Sequence, residues 1–249
     1  MSLRSLFLLL VGAVIVIFVS VNWAQMTAPT ELSLIYTDVR APLGLILLGL
    51  MALLTIGGLF AYFGQTYQTG ADPWQLFAVW AVLALPLALS VRSDVLWTPW
   101  ALVVCTGISL WVFAHTSHSW RLQSQDLPIY GFAWTGALLL TLALSPVFAR
   151  WTGSGVWAMR TAVTLATTMI TMTALGALFD RDTALLYWLG LGLLAVAGVV
   201  MAGRKMFDIF GVSAVALGLN VLVIFGLGRA LLEHGSNDDC IGALLLLGV

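Results

Sequence analysis

The sequence predicts an all-α fold, a polytopic transmembrane bundle of about eight membrane-spanning helices, with seven to nine as the range. Three observations carry this expectation. Only 8% of residues are charged and 61% are hydrophobic, whereas soluble domains carry about 25% charged residues. The charges fall almost entirely in short gaps between long apolar runs. Those runs are continuous rather than alternating, and lipid admits only helices or closed barrels because every backbone polar group must be satisfied internally.

The runs cover residues 6–21, 43–63, 76–91, 97–114, 128–149, 161–179, 183–203 and 209–228. Most approach the roughly 20 residues a helix needs to cross the hydrocarbon core. The first and third are shorter and need their flanks, Trp23 on one side and Pro73 with Trp74 on the other. The third also holds Pro86 and is the run most suspect as a full crossing. A final run, 240–249, is too short to cross, so it either lies at an interface or belongs to a longer protein. The first run lacks a small-x-small cleavage site, and the next helix comes soon after it, unlike a removed signal peptide.

Charge gives few clues to partners. The net charge is −1, with no basic patch for nucleic acid and no acidic tail. Cys105 and Cys240 fall within apolar runs without a CxxC partner and are expected as small packing residues. With Arg4 in the cytoplasm, eight crossings place four positive residues inside and six outside, against the positive-inside tendency. Either the N-terminus faces out or one run does not span.

Two regions differ in texture, a two-helix hairpin over 1–62 and a multi-helix domain over 63–249. In the hairpin, Glu31-Leu32-Ser33-Leu34-Ile35-Tyr36-Thr37 alternates polar and apolar residues, which predicts a short surface strand bracketed by Pro29 and Pro42. Val21-Asn22-Trp23-Ala24-Gln25, Leu32-Ser33-Leu34-Ile35-Tyr36 and Ala41-Pro42-Leu43-Gly44-Leu45 together resemble the lipopolysaccharide assembly protein A domain of the bacterial inner membrane. That family often continues into a charged coiled segment, which this chain does not. The second region opens on Gly64-Gln65-Thr66-Tyr67-Gln68-Thr69-Gly70-Ala71-Asp72-Pro73-Trp74, a polar loop between apolar runs. With the Arg92-Ser93-Asp94 helix end and Arg204-Lys205-Met206-Phe207-Asp208, it resembles domain of unknown function 2157, over about 64–249. The resemblance implies a bacterial integral membrane fold and lends no chemistry.

The polar loop is the foremost candidate site. Gln65, Tyr67, Gln68 and Asp72 offer donors and acceptors beside a membrane face, and Trp74 is placed to anchor it. It is either a headgroup or partner site, or a hydrogen-bonded turn that satisfies helix ends. His115 and His118, with Asp126 further on, have the makings of a metal site, yet they match no zinc-protease spacing, so no metal and no cofactor is assigned. Within the membrane the expected polar residues are Asn220, Arg160, Thr164 and Thr168. Arg160 lies close enough to its helix end to snorkel. Thr161, Thr164, Thr168 and Thr171 share one face, with Thr167 nearby, and either line a polar path or bond their own carbonyls. Asn220 is expected to be buried, in an interhelical hydrogen bond or a substrate contact. Gly190, Gly192, Gly198, Gly211 and Gly218 are expected on packing faces, and Trp97, Trp100, Trp120, Trp151 and Trp157 in interfacial belts.

No nucleophile–base pair and no carboxylate pair marks an enzyme, so no catalytic residue is assigned. Three functions are expected, in this order: a non-enzymatic scaffold or assembly component of the cell envelope, a small-solute transporter or channel, and a membrane-embedded lipid-modifying enzyme. The expected setting is multi-pass in the bacterial inner membrane. The expected partners are the lipid bilayer and other envelope membrane proteins, with no nucleic acid.

Overall fold

The structure is a computed structural model, and it describes residues 40–67, 72–116, 124–179, 183–203 and 206–234. Seven main helices succeed one another: α1 (Arg40–Tyr67), α2 (Pro73–Val91), α3 (Asp94–His115), α4 (Leu127–Ala143), α5 (Val156–Leu178), α6 (Ala184–Ala202) and α7 (Ile209–His234). A 3-10 turn, Ser124–Asp126, precedes α4, and a single helical turn, Ala149–Thr152, lies between α4 and α5. No strand occurs among the described residues. These helices answer to seven of the eight apolar runs. The run at 6–21, the alternating stretch at 31–37 and the run at 240–249 lie outside the described residues.

Six of the helices are long and apolar enough to cross a membrane, and α4, at 17 residues, is shorter. The suspect third run is among the six. Pro73 sits in the first turn of α2, where a missing N–H removes nothing the helix needs. The helix then continues through Pro86 to Val91 over 19 residues, and Ser90 Oγ donates to the Pro86 carbonyl at 2.8 Å.

The place of α4 is set by a bond between two helix starts. The Gly155 N–H, just before α5, donates to Asp94 Oδ1 in the first turn of α3 at 3.0 Å. Along α3 the chain travels about 33 Å at 1.5 Å per residue, so the residues between α3 and α5 must bring it back. Helix α4 covers about 25 Å of that return. The segment from Leu144 to Thr152 supplies the rest, as turns carried by Phe148 N–Ser145 O (3.0 Å) and Gly153 N–Ala149 O (2.8 Å). Helix α4 with its extension thus carries the chain back to where α3 begins.

By their contacts the residues form two compact units, Met1–Ala114 with Leu140–Ala162, and His115–Leu139 with Val163–Val249. In the first, Leu53, Ala84, Leu87 and Leu96 form a buried cluster, with Ile46, Leu50, Trp80, Val91 and Trp100 packed against it. Two indoles tie neighbouring helices together. Trp80 Nε1–H donates to the Leu53 carbonyl at 3.0 Å, and Trp100 Nε1–H donates to that of Ala81 at 2.9 Å. Trp80 lies against Gly57, where any side chain would strike the ring. In the second unit the buried Tyr187 hydroxyl donates to the Leu222 carbonyl at 2.9 Å, joining α6 to α7. Trp134 Nε1–H donates to Thr173 Oγ1 at 2.9 Å, joining α4 to α5. In lipid, where apolar burial drives no association, such bonds and close contacts hold helices together.

The outward faces are apolar. On α1, Leu43, Leu47, Leu48, Met51 and Leu54 are all more than half exposed (53–63%), a surface only lipid or another apolar partner suits. The expected glycine faces hold in part. Gly190 lies against Ala174 and Trp134, and Gly218 against Thr167 and Thr171, whereas nothing approaches Gly192.

The return of α4 predicts accessibility. In a background with Cys105 and Cys240 replaced by serine, Ser93→Cys and Arg150→Cys label from one side of the membrane and Asp72→Cys from the other. Labelling of positions 93 and 150 from opposite sides would refute that return.

Candidate functional site

A dense polar arrangement lies where the Arg92–Ser93 turn meets the connector from Leu144 to Gly155. It begins with the chain reversing tightly after α2. Arg92 takes a left-handed conformation (φ 48°) and its N–H donates to the Ala88 carbonyl at 3.0 Å, closing the helix. Arg92 is the one non-glycine residue with positive φ among the described residues. Ser93 then opens α3, its carbonyl accepting from Leu96 (3.0 Å) and Trp97 (3.1 Å).

Asp94 comes next and serves two helices. It stands in the first turn of α3, and its carboxylate reaches the start of α5. There Oδ1 accepts from the N–H groups of Gly155 (3.0 Å) and Ala158 (2.9 Å), and Oδ2 accepts from that of Trp157 (2.8 Å). The first N–H groups of any helix lack intrahelical partners. A capping side chain normally supplies the acceptor from the residue just before the helix, but here that residue is Gly155, which has none. The cap comes instead from 61 residues earlier. A carboxylate at two helix starts also meets the positive end of both macrodipoles.

The connector is fastened by small polar groups. Trp97 Nε1–H donates to the Thr152 carbonyl at 2.8 Å, Thr152 Oγ1 and Ser154 Oγ lie 2.7 Å apart, and Ser154 Oγ donates to the Leu144 carbonyl at 3.3 Å. Gly153 turns the chain with φ 67°, and its backbone lies against that of Arg92. At Gly155 an added Cβ would sit 2.7 Å from the Asp94 carboxylate. Both glycines are therefore required, one by conformation and one by space.

Three arginines and two tryptophans flank this knot along the chain. Arg92 and Arg150 are exposed. Trp151 and Trp157 are 73% and 66% exposed. Arg160 is half-buried, with its guanidinium 5.4 Å from the centroid of the Trp157 ring, a cation–π distance. Trp151 and Trp157 thus stand exposed, whereas Trp97 does not. At 2% exposure Trp97 is a buried tie between α3 and the connector, because its N–H finds a carbonyl inside. Trp120 lies outside the described residues.

The residues expected at the polar loop are only partly brought together. Gln65 is exposed near the end of α1, and Tyr67 is the last residue of that helix. Asp72 is exposed and precedes α2; its side chain makes no cap bond, while its carbonyl accepts from Gln75 N at 3.0 Å. Trp74 is half-buried in the first turn of α2. Gln68 lies outside the described residues.

The intramembrane expectations change more. Asn220 is exposed on α7, not buried, since the inward positions of that helix fall to Val215, Gly218 and Leu222. Thr168 is exposed and donates to the Thr164 carbonyl at 2.8 Å, while Thr164 is half-buried. The buried threonines of α5 are Thr167 and Thr171, so of the face the spacing singles out only Thr171 is buried. His115 is exposed at the end of α3, Asp126 is buried, and His118 lies outside the described residues. No group of three or more metal-ligating residues occurs among the described residues.

Residues 3–97 match a family model described as "Predicted membrane protein (DUF2157)". The match lies earlier in the chain than 64–249, where the sequence motifs place the resemblance, and the two overlap over 64–97. It runs through the N-terminal hairpin, and the resemblance of that hairpin to the lipopolysaccharide assembly protein A domain is no part of it. The matched stretch takes in Arg92, Asp94 and Trp97 but not the connector they hold. No curated protein and no solved structure matches the chain.

Removal of the Asp94 carboxylate orphans three backbone donors. Asp94→Ala should destabilise the protein by about 2–4 kcal/mol, the range for losing a charged acceptor from a helix start. Asp94→Asn should recover part of this, since an amide oxygen still accepts. Thermal unfolding in detergent tests both, and an unchanged Asp94→Ala would show that the cap contributes nothing.

Proposed function

We propose that this multi-pass membrane protein is a non-enzymatic component of the bacterial inner membrane that scaffolds or assists envelope assembly. The observation that carries this reading is where the Asp94 knot directs its polar groups. Its carboxylate, hydroxyls and indole N–H all end on backbone or on one another, holding helix ends in place rather than opening toward a substrate. Such an arrangement suits a rigid frame that presents its connectors to lipid and protein partners.

Orientation supports the same setting. Alternation along the chain puts Arg40, Arg92, Arg150, Arg160, Arg204 and Lys205 on one side, and Arg121, Arg181 and Arg229 on the other. By the positive-inside tendency the side with the knot is the cytoplasmic one. The polar loop around Asp72 then lies on the opposite side, where partners within the envelope would meet it.

A small-solute transporter is the second reading. It rests on Thr167 and Thr171, buried beside Gly218 at mid-helix, with no hydrogen-bond partner to Thr171 Oγ1 among the described residues. The two readings separate by experiment. For a scaffold, Asp72→Ala combined with Tyr67→Phe leaves the protein inserted yet lowers envelope integrity, measured as detergent sensitivity of cells carrying only the variant. Wild-type resistance would sink that reading. For a transporter, Thr171→Val abolishes solute uptake into loaded vesicles while the unfolding temperature holds.

A further inference from the structure

Three arginines flank the Asp94 knot along the chain, at 92, 150 and 160. Arg92 packs its backbone against Gly153, Arg150 stands three residues before that glycine, and Arg160 lies over Trp157, whose own N–H is held by Asp94. The one carboxylate of the knot is engaged by three backbone N–H groups and fills the start of α5, so that helix start is closed to any other anion. The positive charge at this end is therefore carried by arginines, two of them exposed, and beside them stand the exposed rings of Trp151 and Trp157.

We propose that Arg92, Arg150 and Arg160, with Trp151 and Trp157, form a binding site for the phosphate headgroup of an anionic phospholipid. The chemistry matches in three respects. Guanidinium presents a planar fork of donors to phosphate oxygens, which a phosphodiester headgroup can accept two at a time. Exposed tryptophans adjoining apolar helices belong at headgroup depth, which places the arginines beside lipid phosphates rather than out in water. The left-handed Arg92 and the turn at Gly153 are held by backbone contact, so the Arg92 side chain leaves from a pinned position and less freedom is lost on binding. The ligand is a lipid rather than free phosphate because acyl chains can lie on the apolar faces next to it, such as Val95 and Val156, both about half exposed. The proposal is independent of the scaffold reading, since a transporter would carry the same site.

The test uses the full chain in nanodiscs of phosphatidylcholine with a minority of phosphatidylglycerol, and native mass spectrometry to count each retained lipid. Wild type retains phosphatidylglycerol in excess of its share. In the Arg92→Asn, Arg150→Gln variant this preference falls by about fivefold per arginine, the usual worth of a basic residue near an anionic surface. Asparagine is chosen at 92 because it tolerates the left-handed conformation. The Arg92→Lys, Arg150→Lys variant keeps most of the preference, which separates loss of charge from loss of fold. Arg229→Gln, on α7 in the second unit, leaves it intact. An equal drop with Arg229→Gln, an unchanged preference in the double variant, or release of the lipid by millimolar inorganic phosphate would each overturn the proposal.

Discussion

Asp94 stands in the first turn of α3 and caps the start of α5, and much of the first unit depends on that double position. A helix start in or near lipid has backbone donors that water cannot serve, and each unsatisfied one costs several kcal/mol. The residue before α5 is a glycine, so the helix has no acceptor of its own. Three N–H groups converge instead on one carboxylate at 2.8–3.0 Å. Once these bonds form, the end of α2 and the connector after α4 are drawn to the same place, because Arg92 abuts Gly153 and Trp97 holds Thr152. The return of the chain along α4 is a consequence of the same constraint. A 17-residue helix would otherwise be hard to tell from an interfacial segment by length alone.

The knot also shows how a chain with so few charges uses them. Asp94 is consumed by backbone, and Asp208 does similar work at α7, where its carboxylate accepts from the Gly211 N–H at 2.9 Å. Indole N–H groups serve as the other cross-ties, from Trp80, Trp97, Trp100 and Trp134. Tryptophan suits this role because its ring is lipid-compatible while its single donor can find a carbonyl on the next helix. Arg160, which cannot lose its charge, lies over the exposed Trp157 ring.

Helix positions were largely legible from the apolar runs, because membrane thickness dictates segment length whatever the packing. The inward and outward faces were not. A run apolar all round carries almost no signal for which side meets a neighbour, and so Asn220 and Thr168 are exposed while Thr167 and Thr171 are buried. The knot was half visible. Arg92-Ser93-Asp94 stands out as a polar helix end, yet nothing local marks Asp94 as the cap of a helix 61 residues away. The one signal within the sequence was indirect: α5 begins after Gly-Ser-Gly, with no usual cap residue next to it, so its acceptor had to come from elsewhere.

By itself the sequence determined the solvent of this protein, the helical class of its fold and the length of its crossings, since each is dictated by composition and by the thickness of a bilayer. Only the tertiary structure decided which polar residues face inward, that the connector after α4 comes back to the start of α3, and that one carboxylate there caps α5. Those outcomes rest on contacts between residues far apart in the chain, chiefly one carboxylate and the two helix starts it joins, and no local pattern of residues encodes them.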